Sequence, residues 1–401
     1  MKKHVVIVGA GACGFFTAAN LDPEKCHVTL LEQNADVLQK VKISGGGRCN
    51  VTHAEFDPRI LCEYYPRGNK ELRSVFSKFQ PADTIEWFEQ RGVHLKTEQD
   101  GRMFPESNSS STIIECFKKE VLQKGFEIRT KTKVTEILYQ NPGFIVKVGP
   151  ESIYADYLVY ATGSTPKSLN ILHSFGHTII PQVPSLFTFN IEDPLLEGLA
   201  GTSFTLAQVE IPSLNSFEQG PLLITHWGLS GPAILKSSAW KARELGELDY
   251  QFNLKINFVG LSFSDAMELL LKNKAQQPSK KLIQSKPFEI TQRFWAKIVD
   301  LSVEDPNKPI GHLTKKEAQQ IVENLTQKTF SVKGKSTFKE EFVSAGGVDL
   351  KEIDFKTMQS RKIQGLYLGG EVLNIDAVTG GFNFQACWSE GFLISQHLNS
   401  H

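Results

Sequence analysis

The run His4-Val5-Val6-Ile7-Val8 leads directly into Gly9-Ala10-Gly11-Ala12-Cys13-Gly14, and this junction constrains the fold more than any other stretch. A continuous β-branched run of this kind reads as a strand buried on both faces of a parallel sheet. The glycines that follow have GxGxxG spacing and open a helix-compatible segment, "ACGFFTAANL". In such a turn one glycine allows the tight bend and another lets a diphosphate approach the backbone. The third lets helix and strand pack closely. The diphosphate would then meet free N–H groups at the helix N-terminus, where the helix dipole favours negative charge. A second buried run, "HVTLLE", ends in Glu32 with Gln33 beside it. A carboxylate at that strand end can accept hydrogen bonds from ribose hydroxyls, and it argues against a 2′-phosphate there. Strand, turn, helix and acid together predict a dinucleotide site.

The same opening, "MKKHVVIVGAGA", superficially resembles a secretion signal: a basic start, an apolar run and Ala-x-Ala. The spaced glycines and the polar His4 fit a buried strand entering a turn better. With 401 residues the chain can hold two or three domains. Lys+Arg and Asp+Glu both number 44, so no whole-chain charge argues for nucleic acid or an anionic membrane. No apolar run is long enough to span a bilayer. The six cysteines are scattered without a CxxC pair, so neither a zinc site nor a local redox dithiol is expected. Reduced thiols in a cytoplasm fit this pattern.

Beyond the first βαβ unit, helices are expected over "ELRSVFSKF", "PADTIEWFEQRG" and "SSSTIIECFKKEVLQKG". In the last of these, Thr112 and Glu115 stand at capping-box spacing. "KVTEILYQ", "GFIVKVG" and "ESIYADYLVYATG" read as a small antiparallel meander ending in a buried strand. After about residue 188 the pattern changes to short alternating runs, then to lysine- and glutamine-rich helical spacing over 262–327. The C-terminal part returns to the opening style, with "GLYLGGEVL" as strand and glycine turn and "FNFQACWSEGFLISQHL" as a closing helix.

FAD and NAD both satisfy the opening fingerprint. Two further strand ends bear on the choice: Ala161-Thr162-Gly163, and Gly369-Gly370-Glu371. Their joint presence suggests a sheet shaped around one long ligand, with Glu371 able to accept bonds from ribityl hydroxyls. "TGGFNFQACW" places Gly381, Phe382, Asn383 and Gln385 at the start of the closing helix. Its N-terminus, aimed at a flavin pyrimidine edge, would stabilise the negative charge that develops on reduction by up to ~2 kcal/mol. A glycine-rich helix start without a ligand role is the alternative. The triplet Gly45-Gly46-Gly47, between Ser44 and Arg48-Cys49-Asn50, is costly to order and raises the question of what approaches its backbone.

The segments "GGGRCNVT", "THWGLSGPAIL", "AGGVDLKEIDFKTMQS" and "GLYLGGEVLNIDAVTGGFNFQ" closely resemble the BaiN/YhiN-like flavoproteins, also described as aminoacetone-oxidase-family FAD-binding enzymes. The resemblance runs nearly end to end. It implies an α/β fold: a discontinuous Rossmann-like FAD-binding domain, 1–188 and 342–401, with an inserted domain over 189–341. Within the insert, a β-barrel part would cover about 189–260 and 328–341, and a helical part about 261–327. Carried over by residue, it makes Gly9, Ala10, Gly11 and Gly14 the diphosphate turn and Glu32 the adenosine-ribose acceptor. Val134 would meet the adenine through its backbone. Ser44, Gly45, Gly46, Gly47, Arg48, Cys49 and Asn50 would form a loop beside the flavin, with Arg48 or Asn50 reaching flavin or a neighbouring loop. Gly370, Glu371, Asn383 and Gln385 would hold the ribityl–isoalloxazine end. Two departures stand out: His53 where the family has asparagine after "GGGRCNVT", and Asn374 where it has aspartate.

The expected activity is FAD-dependent electron or hydride transfer with a small organic substrate, the flavin being recycled by transient NAD(P)H or by oxygen. A flavin-binding redox sensor without turnover is the first alternative, and an RNA-modifying flavoprotein the second. Neutral charge counts against RNA. The residues name no catalytic acid or base. Cys49 beside Arg48 invites a lowered thiol pKa, set against a small side chain packed in a tight loop. His226 invites a general-acid role, set against a structural histidine before a helix that Pro232 starts and Ser230 caps. Arg102 and Glu106 invite contact with a polar substrate, set against a solvated turn.

Overall fold

The computed structural model describes residues 2–336 and 343–401. The chain forms two compact units, Met1–Val183 with Lys339–His401 and Pro184–Phe338. The expected boundary at 341/342, and the last residues of the expected barrel part, lie outside the described residues.

The first unit is built on a seven-stranded sheet. Its order runs Ile353–Asp354, Gln359–Ser360, Leu366–Leu368, Tyr157–Tyr160, β1 (Lys3–Val8), β2 (Cys26–Leu31) and Glu127–Arg129. The five strands from Leu366–Leu368 to Glu127–Arg129 are parallel, and the first two are antiparallel additions at one edge. Val5, Val6 and Ile7 are fully buried, as a central parallel strand covered on both faces requires. α1 (Ala12–Asn20) follows the glycine turn and packs against the closing helix, Phe382–Asn399. The approach is close: a Cβ at Gly391 would lie 3.0 Å from the Cys13 carbonyl oxygen. Phe16, Trp87, Phe117 and Trp388 then lock four helices into one aromatic cluster, with contacting ring centroids 4.9 Å (Phe16–Trp87) to 6.1 Å (Phe16–Phe117) apart. Such pairs contribute ~0.5–1.5 kcal/mol each beyond their burial.

The meander is a separate three-stranded antiparallel sheet, Val134–Tyr139, Phe144–Val148 and Glu151–Ala155; the next strand, Tyr157–Tyr160, enters the main sheet. One capping expectation is corrected. The helix Ser110–Gln123 starts earlier than the Thr112/Glu115 pair implies: Ser109 is its N-cap, accepting from Ser111 N. The Thr112 hydroxyl instead pairs with Ser107.

The second unit holds a closed six-stranded antiparallel barrel, Thr188–Ile191, Gly228–Ser230, Ser216–Ile224, Ser203–Ile211, Gln251–Asn257 and Lys328–Ser336. Along Gln251–Asn257, Phe252, Leu254 and Ile256 point inward in strict alternation. Helices Phe263–Gln276, Gln292–Asp300 and Lys315–Thr326 share this core through Leu270, Trp295 and Ile321. The last is started by a Thr314/Glu317 capping box. The helix beginning at Pro232 is present, but Gly231 is its N-cap. Ser230 lies one step too early and accepts from the Thr188 hydroxyl, 2.9 Å away. His226 is exposed in the turn before Gly228.

Candidate functional site

The three glycines of the opening turn have different neighbours. Gly9 has φ +105°, and a Cβ there would sit 2.3 Å from the Ala161 carbonyl oxygen, so this glycine lets two parallel strand ends close up. A Cβ at Gly14 would fall 2.0 Å from the Gly9 oxygen, so this one seats α1 on β1. A Cβ at Gly11 would meet nothing within 4 Å beyond its own neighbours in the chain. Gly11 is also the N-cap of α1, and no side chain caps that helix. The chain has therefore kept an open, uncapped helix N-terminus on a buried strand end, a geometry suited to an anion.

Glu32 ends β2 beside this turn. One oxygen accepts from Ala10 N at 3.2 Å, the other from the backbone and side-chain nitrogens of Asn34 at 2.9 and 2.8 Å. The carboxylate is thereby aimed across the turn, while Gln33 is exposed. At the neighbouring strand end, Ala161 is buried, the Thr162 hydroxyl reaches the Gly163 carbonyl, and Gly163 (φ +74°) faces open space. Val134 is half-buried at the first position of its strand, paired with Val148.

The glycine triplet is not a floppy loop. Helix Gln39–Gly47 breaks at Ser44, and Gly45, Gly46 and Gly47 all take positive φ. A Cβ at Gly45 would lie 2.9 Å from the Phe104 ring, whereas Gly46 and Gly47 have nothing within 4 Å. Arg48 turns to its own surroundings: it pairs with Glu98 at 2.6 Å and stacks 3.9 Å from the Phe104 ring centroid. Arg102 shares that pairing, bonding Asp100 (2.7 Å) and Glu98 (3.1 Å), and Glu106 N donates to the His94 carbonyl. The idea of an activated Cys49 is overturned. Its thiol is fully buried, and burial pushes its pKa up to about 12 against a smaller opposing effect from Ser44. The adjacent guanidinium is spent on Glu98 and does not offset the lost hydration.

At the start of the closing helix, Gly381 (φ +93°) is an N-cap with no capping side chain of its own. Asn50 serves it: with the amide turned to satisfy both ends, it accepts from Gly381 N at 3.0 Å and donates to the Thr52 and Met103 carbonyls. Asn50 thus reaches a neighbouring loop, one of the two expected roles. Asn383 grips Ala377 through both backbone groups, and Phe382 is buried against Tyr64, with stacked rings 4.2 Å apart. His53 closes the cluster, 4.5 Å from the Phe382 ring and with Nδ1 3.2 Å from the Gly380 oxygen. Burial lowers its pKa, which favours the neutral ring. Gln385 departs from expectation. It is fully buried, its oxygen accepting from Thr52 (2.6 Å) and Thr84 (2.9 Å) and its nitrogen donating to Ser389. Its amide is consumed in the core, so its influence on a ligand is indirect.

Glu371, beyond the second glycine turn, pairs with Lys40. Gly370 (φ +75°) donates its N–H to buried Glu390 on the closing helix at 2.5 Å. Lys40, Glu390 and the Arg67–Asp376 pair escaped sequence reasoning. A long-range ion pair leaves no local spacing signal, and Glu390 sits in an otherwise ordinary helical run.

An open glycine turn, the Glu32 carboxylate beside it and a second glycine-lined strand end lie on one sheet in one unit. With the family match that follows, the fold is that of an FAD-binding flavoprotein of the oxidoreductase class. The chain belongs to the family described as HI0933-like protein Rossmann domain, whose model matches residues 3–397. It is 28% identical over 411 residues to a protein named ribosomal RNA dihydrouridine synthase from Escherichia coli (strain K12), covering 99% of this chain and 98% of that one. It is 26% identical over 416 residues to a 3-dehydro-bile acid delta(4,6)-reductase from Clostridium scindens, covering 98% of both. Among solved structures, the open conformation of a flavocytochrome c3 fumarate reductase superposes with a TM-score of 0.52 at 15% identity, covering 100% of this chain and 78% of that one. No helix among the described residues is long and apolar enough to cross a membrane.

Proposed function

We propose that this protein uses FAD to reduce a carbon–carbon double bond conjugated to a carbonyl group. The chemistry named for two whole-length relatives carries the reading. A Δ4,6 bond beside a 3-keto group and the 5,6 bond of uracil are both alkenes polarised by a neighbouring carbonyl. Two molecules unlike in size then share one reaction: hydride to the β-carbon and a proton to the α-carbon, with NAD(P)H as the external reductant.

When bound, FAD supplies the hydride at flavin N5. The chain's own residues do the rest. The open N-terminus of α1 at Gly11 holds the diphosphate and Glu32 takes the adenosine ribose. Val134 meets the adenine through its backbone. Ala161, Thr162, Gly163 and the open Gly46-Gly47 backbone leave room for the body of the ligand. Asn50 orients the Gly381 N–H, and Asn383 ties the preceding loop to the closing helix, so its dipole stands ready where negative charge gathers. Glu371 holds the ribityl hydroxyls once it gives up Lys40. Within this cluster, Tyr64, which carries a phenolic O–H, is the side chain suited to supplying the α-proton, while neutral His53 packs beside it.

The purified protein should be yellow and release FAD on denaturation. Stopped-flow reduction by NADH or NADPH, followed by mixing with a 4-en-3-one steroid, should reoxidise the flavin and yield the saturated ketone. The relatives' RNA-directed name favours a second arm, a uridine-containing ribosomal RNA fragment assayed for dihydrouridine. Flavin that stays reduced with both substrates overturns the reading.

A further inference from the structure

Glu390 is fully buried, yet it carries an ionisable carboxyl with one oxygen unpartnered. Oε2 accepts from Gly370 N at 2.5 Å; Oε1 has no hydrogen-bond partner among the described residues. The carboxyl lies behind the first turn of α1: a Cβ at Gly369 would sit 2.5 Å from Cys13 Sγ and 3.6 Å from Glu390 Oε2. The turn that offers free N–H groups to a diphosphate on one side therefore has an acid on the other.

The other ionisable groups around it leave it without a counter-ion. Cys13 on α1, Cys387 on its own helix and Tyr65 from the segment before Asn69–Phe76 are all buried, and burial pushes each well above its ordinary range. Beyond Cys387 stand Glu371 and Lys40, already paired with each other. Among the described residues no lysine or arginine bonds Glu390. Among the described residues its Oε1 has no protein donor or cation to accept from, and such burial disfavours the charged carboxylate.

We propose that Glu390 is a positioning residue that carries a proton whenever a diphosphate occupies the Gly9–Gly14 turn, so that dinucleotide binding takes up a proton from solvent. This rests on the reading of that turn as the FAD site. One proton leaves bulk water, one O–H bond forms at Glu390, and no electron moves. The two phosphate charges arrive across one helical turn from the carboxylate in a site with little screening, so the ionised form opposes binding and the neutral form does not. Burial already raises the Glu390 pKa to about 8 in the ligand-free protein, with the Gly370 N–H opposing that rise. The bound diphosphate raises it further, so uptake is absent at about pH 6 and approaches one proton near pH 9.

The test is calorimetric titration of FAD into the full chain freed of flavin, from about pH 6 to pH 9. Each pH is run in two buffers of different ionisation enthalpy, so that proton uptake is read directly. Wild-type protein should take up close to one proton at the alkaline end, and its affinity should fall towards tenfold per pH unit there. E390Q should bind with no uptake and a flat profile. FAD binding by the wild type without uptake overturns this proposal and leaves the cofactor reading standing. Uptake that persists in E390Q also overturns it. Absence of FAD binding at every pH overturns both. Should E390Q not fold, the wild-type buffer pair decides alone.

Discussion

Arg67 grips the carboxylate of Asp376 with two nitrogens at once, Nε meeting Oδ1 at 2.5 Å and a terminal nitrogen meeting Oδ2. The two residues are 309 positions apart, Asp376 is fully buried, and Arg67 is 13% exposed. Next to the pair, a Cβ at Gly68 would meet the Ile375 side chain at 2.6 Å, so the strap between Glu371 and Gly381 is pressed onto this spot. Removing one partner of a buried, two-point pair leaves the other charge uncompensated, which costs about 3–5 kcal/mol. Urea unfolding of D376N should show a loss of that order. R67K, which keeps the charge and loses the fork, should recover only part of it.

The glycines of the opening turn should separate into packing and ligand positions. Gly9→Ala and Gly14→Ala drive a methyl group into backbone atoms 2.3 and 2.0 Å away, and should cost at least ~2 kcal/mol without any ligand. Gly11→Ala meets nothing within 4 Å and has φ −91°, so its ligand-free stability should move by less than about 1 kcal/mol. Its FAD affinity should nonetheless fall about tenfold or more, because the new methyl occupies the phosphate's approach. Thermal melts of the flavin-free variants beside fluorescence titrations with FAD make the comparison.

All six cysteines are free and buried. With burial holding the Cys49 thiol at about 12, and Cys62 and Cys116 at about 11, native protein at mildly alkaline pH should react with a disulfide reagent many-fold more slowly than unfolded protein. Fast, stoichiometric labelling of Cys49 in the native state would refute this.

Acid should weaken the first unit through one local network. His177 Nδ1–H donates to Glu352 at 2.7 Å, and its Nε2 accepts from the Ser360 hydroxyl at 3.0 Å. Burial, opposed by Glu352, lowers the His177 pKa, so the ring is neutral in the fold. For Glu352, burial alone would raise the pKa, but bonds from Lys362, Thr178 and His177 outweigh it and hold the group at about 2. Both groups bind fewer protons folded than unfolded. Stability is therefore lost as pH falls, first below the usual histidine range and then between about 4.5 and 2 for Glu352. In E352Q the second, steeper loss should flatten, as followed by thermal melting across an acid pH series.

Much of this was legible in the residues because it is local. β1, the glycine turn, α1 and Glu32 form one short-range pattern, and the change of period near residue 188 announces the barrel strands. The Thr112/Glu115 capping box failed because Ser109 offered a competing cap three residues earlier. For Cys49 the packed-side-chain reading holds and the lowered pKa does not, because pKa depends on burial, and nothing in "GRCN" shows that Arg48 turns away to Glu98. The resemblance made Gln385 a ligand contact, yet Thr52 and Thr84 claim it from segments far away in sequence.

The pairing of α1 with the closing helix has a consequence for biosynthesis. Asp22 N donates to the Asn399 side chain across 377 positions, and the close approach of Gly391 to Cys13 spans just as far. Until translation reaches that helix, α1 presents an apolar flank with no mate, while the barrel strands, contiguous in the chain, can already close. Newly made chains should thus depend on chaperone shielding of their first βαβ unit, and loading with flavin should follow release from the ribosome.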